Sequence, residues 1–509
     1  MKQVQVLLLD FGGQYTHLIA RRVRETGVFC EIVPYTIPLA RIKAKGPKAI
    51  ILSGGPSSVY EKGAPRIKKE VFDLPVPILG ICYGMQLISL LLNGTTKKFD
   101  KGEYGLQNLK STGKSPLLAG TKKDTKIWMS HKDVVIKTPQ GFKITSRTET
   151  IPIASMEREN IYGIQFHPEV THTRQGNLIF KNFIFKIAKC KKDWDPSKIL
   201  QRVRQDILQK TENKKVLCAV SGGVDSTIMT SLLYKTIGKR LKPVFINNGV
   251  LRKDEEKEVL HNLRNVLKIP VKYINASQIF LRQLRGAVDP EKKRKIIGKV
   301  FVDVFFKHLQ KGDLLAQGTL YPDVIESVSV VGPSATIKTH HNRVKEILQL
   351  IKEDRVIEPF KLLFKDEVRI IGKQMGIPEA IIWRMPFPGP GLAIRILGEV
   401  TKGRLAVLKE ADYIIRYEIE KNMDYRKIWQ AFGVLLPVKS VGVMGDSRTY
   451  QNVIAIRAVE SLDGMTADWV KLPYPLLQKI SNRIINEVDG INRVVYDTSS
   501  KPPATIEWE

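Results

Sequence analysis

The sequence predicts an α/β protein built as two doubly wound α/β domains followed by a small α+β domain. Three observations predict this. Apolar runs of strand length alternate with turn signals and helical patterns through residues 1–190 and again through 195–385. A polar, turn-forming stretch, Cys190-Lys-Lys-Asp-Trp-Asp-Pro-Ser197, falls between the two and reads as a linker. A second break comes at Pro386-Phe-Pro-Gly-Pro-Gly391, where closely spaced prolines forbid a helix interior or a central strand. Residues 386–509 beyond it mix helix and strand. A chain of 509 residues also exceeds what one hydrophobic core serves.

In the first domain the predicted strands are Val4–Leu9, Ala49–Leu52, Ile78–Ile81 and Ile161–Phe166, and Leu87–Leu92 reads as helix. The second domain opens with the strand Val216–Val220. Pro243–Ile246, Val271–Ile274 and Leu314–Ala316 follow. Between them, Glu291–Gln310 places Ile296, Ile297, Val300, Phe301, Val304 and Phe305 on one helical stripe, with the lysines expected elsewhere.

Apolar residues make up 43% of the chain and aromatics 8%, an ordinary globular composition. No apolar run reaches the roughly 20 residues of a membrane-spanning helix. The opening MKQVQVLLLDFGGQ reads as a strand entering a glycine turn, not a signal peptide. Cys30, Cys82, Cys190 and Cys218 are scattered without ligand spacing, which fits a reducing, cytoplasmic setting. The net charge of +31 suits a nucleic-acid binder, an enzyme of polyanionic substrates, or simply solvated helix faces. Residues 264–311 alone hold twelve Lys/Arg against three acids. No helix-turn-helix, zinc-finger or aromatic RNA-binding pattern accompanies this charge, so nucleic acid is not expected as the partner.

Leu79-Gly-Ile-Cys-Tyr-Gly-Met-Gln86 sets Cys82 between two glycines, after a strand and before an apolar helix. This is a nucleophile elbow carrying cysteine, and a helix N-terminus behind the sulfur favours the reactive thiolate. In Gly163-Ile-Gln-Phe-His-Pro-Glu169, His167 and Glu169 stand two apart. An extended segment there would point both to one face, as a base and the carboxylate that orients it. Leu52-Ser-Gly-Gly-Pro56 offers backbone N–H groups for an oxyanion, with Gly55 and Tyr83 as the expected donors.

With Asp10-Phe-Gly-Gly-Gln14 and Trp128-Met-Ser-His-Lys-Asp133, these motifs resemble a class I glutamine amidotransferase domain. The resemblance implies attack of Cys82 on the glutamine side-chain amide, release of ammonia and hydrolysis of a glutamyl thioester. It also implies that Gln86, Ser130 and His131 lie near bound glutamine.

The run Val216-Leu-Cys-Ala-Val-Ser-Gly-Gly-Val-Asp-Ser226 passes from strand to loop to helix. Gly222 and Gly223 bring backbone N–H groups near a ligand, Ser221 and Ser226 add hydroxyls, and the helix dipole behind Val224 favours an anion. No Gly-Lys-Ser/Thr follows, so it is not a Walker A loop. It resembles the SGGxDS loop of N-type ATP pyrophosphatases, which cleave ATP between the α and β phosphates. Asp225 is then the natural Mg²⁺ ligand.

The acceptor is suggested by five further stretches. They are Asp289–Gly298, Ala316–Ser327, Ile337–Asn342, Pro386–Arg395 and the tail Lys501-Pro-Pro-Ala-Thr-Ile-Glu-Trp-Glu509. Together they resemble the glutamine-hydrolysing GMP synthase family across essentially the whole chain. The chain departs from that pattern after Asn342, where Arg343-Val-Lys-Glu346 stands in place of an expected glycine-rich stretch. Arg294 and Lys501 suit the phosphate of a nucleoside monophosphate, Arg as a fork and Lys as a point charge. By resemblance Ile506 and Glu507 join that grip, while Lys338 and Lys365 face the ATP phosphates. The implied reaction consumes XMP, ATP, glutamine and water and yields GMP, AMP, pyrophosphate and glutamate, with Mg²⁺ as cofactor. A homodimer formed through the last domain is implied by the family alone. Other acceptors, a carboxylate or an RNA base, remain open at this point.

Overall fold

Apolar runs bounded by glycine and proline turns become the strands of three sheets. The computed structural model describes residues 4–122, 124–328, 345–444, 446–461, 464, 466–501 and 503–509. They form two compact units, each treated separately below. One comprises residues up to Asp195 together with helix Tyr321–Val328. The other comprises Pro196–Leu320 and the described residues from 345 onward. No helix among the described residues is long and apolar enough to cross a membrane.

The first unit holds β1 (Val6–Asp10), β2 (Cys30–Pro34), β3 (Ala49–Leu52), β4 (Ile78–Ile81) and β5 (Thr95–Ser111). β6 (Asp124–Lys137), β7 (Lys143–Arg147), β8 (Ser155–Arg158) and β9 (Ile161–Ile164) complete it. They make one nine-stranded sheet in the order β2-β1-β3-β4-β9-β8-β7-β5-β6. The first five in that order pair in parallel, and the remaining pairs are antiparallel. β3 and β4 are buried throughout, which explains their unbroken apolar sequences. Parallel strands gather their carboxyl ends on one edge, where a doubly wound sheet binds its ligands.

The stretch read as a linker packs onto this unit. Trp194 is buried with its ring 5.0 Å from that of Phe29, and the Arg24 guanidinium lies 4.8 Å over it. Asp193 Oδ1 accepts the N–H of Phe29 at 2.8 Å. An indole of this size contributes more by packing than by solvation, so polar neighbours do not keep the segment in water.

The second unit contains β10 (Val216–Ala219), β11 (Leu241–Asn247), β12 (Lys272–Asn275), β13 (Leu314–Ala316) and β14 (Val356–Ile357). Their order, β12-β11-β10-β13-β14, is wholly parallel. Helix Pro290–Phe306 begins at Asp289, whose Oδ1 accepts the N–H of Lys292 at 2.7 Å. Of the predicted stripe, Ile297, Val300, Val304 and Phe305 are buried, while Ile296 and Phe301 are half-buried against the same core. Lys293 is a correction: it lies on the same buried face, at 0% exposure. Its i, i+4, i+7 spacing to Ile297 and Val300 requires this once the helix is seated.

The later part of this unit adds β15 (Gln430–Met444), β16 (Ser447–Glu460), β17 (Asp468–Trp469) and β18 (Ile491–Tyr496). β15, β16 and β17 are antiparallel, while β18 runs parallel to β16. One hydrophobic cluster runs from Leu217 and Ile297 through Leu392 and Leu408 to Ile454 and Ile480. The five-stranded layer and the α+β portion therefore share a core.

Candidate functional site

Cys82 follows β4 directly and caps helix Tyr83–Leu91 with φ 54° and ψ −106°. A non-glycine residue at positive φ stores strain of about 1–3 kcal/mol and needs its surroundings to enforce it. The flanking glycines do so. A Cβ on Gly80 would meet the Gly84 carbonyl carbon at 2.6 Å, and one on Gly84 would meet the Leu52 oxygen at 2.5 Å. Cys82 N–H donates to the Ile164 carbonyl at 2.8 Å, so β9 also holds the turn.

His167 Nδ1 lies 2.6 Å from Oε1 of Glu169, with both side chains buried. The pair is not part of a strand as expected: β9 stops at Ile164, His167 lies in irregular backbone beyond it, and Pro168–Glu169 begin a turn. There the chain leaves β4, with Gln165 N–H donating to Ala154 and His167 N–H to the Trp128 carbonyl. Nδ1 is taken by Glu169, leaving Nε2 for the sulfur. Burial opposes the charged imidazole, but Glu169 and Cys82 outweigh it and hold His167 well above its ordinary range.

The Ser53–Gly55 loop closes the other side. An ideal Cβ on Gly54 would sit 3.4 Å from His167 Cε1 and 3.8 Å from Cys82 Cβ. Gly55 packs between Phe11 and the Tyr83 ring. The Tyr83 N–H belongs to the first helical turn, where no intrahelical acceptor exists.

Among the expected glutamine contacts, the Ser130 carbonyl lies 3.7 Å from Cys82 Sγ, and Gln86 Nε2 donates to the Asp133 carbonyl at 2.6 Å. His131 makes its contact within the sheet, its Nε2 3.1 Å from Glu103 Oε2. Burial would raise the Glu103 carboxyl, yet hydrogen bonds from His131 and Thr150 hold it below its usual range.

Two residues were missed. Gln165 is fully buried and points Nε2 at Cys82 Sγ from 3.6 Å. Asp133 is 4% exposed, and neither carboxylate oxygen has a hydrogen-bond partner among the described residues. Both stand inside quoted motifs, which was their only sequence signal.

In the second unit, β10 runs into the loop Ser221–Gly223 and then helix Val224–Ile237. Ser221 Oγ and Ser226 Oγ are 3.0 Å apart, and Gly223 N–H donates to Ser221 Oγ at 3.3 Å. Gly222 has φ +79°, and a Cβ there would meet Val259 at 2.3 Å. Lys365 Nζ lies 3.6 Å from Asp225 Oδ2, while Asp225 Oδ1 has no partner among the described residues. Arg384 was not singled out from sequence. Its Nη1 donates to the Gly222 carbonyl at 2.6 Å and its Nη2 to Glu255 at 2.9 Å. Lys338 and the Ile337–Asn342 stretch lie outside the described residues.

Buried cations hold the chain's last residues. Arg457, 0% exposed, donates to the carbonyls of Ser499 at 2.5 Å and Thr505 at 3.0 Å. Arg395, also fully buried, grips Glu507 with two bonds of 3.0 and 2.8 Å. Ile506 packs against Phe432, Val434 and Ala455. Arg294 donates to the Glu509 backbone oxygen and pairs with Glu291 at 3.3 Å. The structure thus brings Arg294, Ile506 and Glu507 to one segment. The Lys501 ammonium instead donates to the Gly464 carbonyl at 2.7 Å.

Residues 7–187 match the family model for class-I glutamine amidotransferases, and residues 417–508 match that for the GMP synthase C-terminal domain. Similar full-length relatives are glutamine-hydrolysing GMP synthases. That of Brachyspira hyodysenteriae is 52% identical over 99% of both chains. That of Nitratiruptor is 52% identical over 100% of both, and that of Nitratidesulfovibrio vulgaris 52% identical over 100% of this chain and 99% of its own.

Proposed function

This chain belongs to the glutamine-hydrolysing GMP synthase family, and we propose on that premise how its residues carry the reaction. It hydrolyses glutamine to supply ammonia and spends ATP, as AMP and pyrophosphate, to aminate XMP to GMP. In the proposed assignment, residues 1–190 are the amidotransferase domain, 195–385 the ATP pyrophosphatase domain, and 386–509 the XMP-binding and dimerisation domain.

The observation that carries the front half is the strained Cys82 turn beside the His167–Glu169 pair. His167 takes the thiol proton, and Cys82 Sγ attacks the glutamine amide carbon. The N–H groups of Gly55 and Tyr83 receive the oxyanion. Ammonia leaves with a proton from His167, and water then hydrolyses the thioester to glutamate. Gln86, Ser130 and His131 line or support the glutamine pocket. The Asp133 carboxylate, unpartnered among the described residues, has the chemistry to take the substrate ammonium, since burying it uncompensated is costly.

In the rear half, Ser221–Ser226 cradle the β and γ phosphates, with Lys338 and Lys365 adding charge. One Asp225 oxygen is uncommitted, which fits a Mg²⁺ ligand; bound there, the ion would neutralise phosphate charge. The XMP C2 oxygen attacks the α-phosphorus and pyrophosphate departs. Ammonia then adds at C2 and AMP leaves. Arg294, Lys501, Ile506 and Glu507 hold XMP.

We also place the enzyme in the cytoplasm as a homodimer. Four free cysteines suit a reducing compartment. Val441 and Tyr450, directly opposed on the β15–β16 hairpin, and Val443 beside them are exposed apolar side chains on one face.

The test is AMP formation with ammonium against a panel of acceptors. XMP alone should support turnover; AMP release driven equally by a carboxylate or an RNA base would overturn the assignment.

A further inference from the structure

We propose that Lys293 and Glu509 form a latch that positions the nucleotide-binding tail, making both positioning residues for XMP. The inference rests on the reading that Arg294 and the tail hold XMP.

Lys293 is a lysine with no exposed surface, on the core face of helix Pro290–Phe306. Its ammonium has three N–H donors and three acceptors: the Ile396 carbonyl at 2.7 Å, the Ala393 carbonyl at 3.2 Å and Glu509 Oε2 at 2.5 Å. A buried ammonium is tolerated only when its hydrogen bonds are filled and its charge is met. The two carbonyls supply the first condition and Glu509 the second. The site is therefore over-determined, and each component constrains the others.

What it constrains is the substrate end of the unit. The Ala393–Ile396 segment contains Arg395, which grips Glu507 through two donors. Glu507 and Glu509 thus both turn inward onto fully buried cations, while Trp508 between them is 38% exposed. Arg294, next in sequence to Lys293, reaches the Glu509 backbone oxygen. One ammonium therefore ties the helix bearing Arg294 to the tail bearing Ile506 and Glu507. A three-pronged latch of this kind has no evident use for an apolar core position, where leucine would pack without desolvation cost.

The experiment measures ammonium-driven amination by full-length Lys293→Met, Glu509→Gln and Arg294→Gln proteins, with thermal melts on each. Glu509→Gln keeps the side chain's size, so the proposal stands testable if Lys293→Met fails to fold. The expected result is KM for XMP raised about tenfold or more in Glu509→Gln and Lys293→Met, with kcat and the ATP KM within about threefold of wild type. The double variant should be no worse than the worse single one. An unchanged XMP KM in a folded Glu509→Gln protein, while Arg294→Gln raises it, overturns the latch. A uniform loss of kcat and both KM values alongside a lowered melt also overturns it, leaving a purely structural pair. An unchanged XMP KM in Arg294→Gln instead sinks the underlying reading of the nucleotide grip.

Discussion

His167 Nδ1 stands 2.6 Å from Glu169 Oε1, just past the end of β9 at Ile164. The carboxylate both fixes the ring and supports its positive charge. Glu169→Gln should therefore lower glutamine-driven turnover by on the order of 10²–10⁴-fold. His167 has a folded-state pKa above its unfolded value, so the charge-dependent stability is fully present below about pH 6.5 and lost as pH rises through the folded pKa. The melting-temperature difference between wild type and Glu169→Gln should accordingly be largest in mild acid and shrink toward alkaline pH. A pH-independent difference would remove the ion-pair account.

Cys82→Ala should abolish glutamine-driven GMP formation and leave ammonium-driven formation within about twofold. Steady-state assays with each nitrogen source check this. Replacing a residue at φ 54° by alanine keeps the backbone strain, so the variant should fold as wild type does.

Asp133 separates stability from function. Its buried carboxylate, without a partner among the described residues, should destabilise the protein when glutamine is absent, so Asp133→Asn should melt at the same temperature or higher. The same variant should raise the KM for glutamine about tenfold or more while sparing ammonium-driven turnover. A lowered melt with an unchanged KM would assign Asp133 to structure.

At the rear loop, Asp225→Asn should reduce ATP-driven amination at least about 100-fold without altering glutamine hydrolysis. Arg384→Gln removes the donor to the Gly222 carbonyl and should raise the ATP KM more than it lowers kcat. Parallel initial-rate measurements at varied ATP distinguish the two effects.

Val443→Glu places a charge on the exposed face shared with Val441 and Tyr450, where Val443 is 76% exposed. Light scattering after gel filtration should show the mass falling from two chains to one. A wild-type protein already monomeric at micromolar concentration would refute the dimer.

By itself the sequence determined the features that depend on neighbours along the chain. The strands Ala49–Leu52, Ile78–Ile81 and Leu314–Ala316 begin and end where their apolar runs do, because buried parallel strands leave no polar alternation to blur the edges. The Gly80-Ile-Cys-Tyr-Gly84 elbow and the Ser221–Ser226 loop were legible for a related reason. Their chemistry requires small residues at fixed offsets from one reactive group. Tertiary structure alone decided the pairings that span the chain. Lys293 meets Glu509 across 216 positions and Arg395 meets Glu507 across 112. The helical spacing of Lys293 to Ile297 and Val300 puts it on the core face, but only the fold supplies the acceptors that let a lysine stay there. Asp133 and Trp194 follow the same logic. The burial of a polar or amphipathic side chain is a property of the assembled core, and no window of sequence contains it.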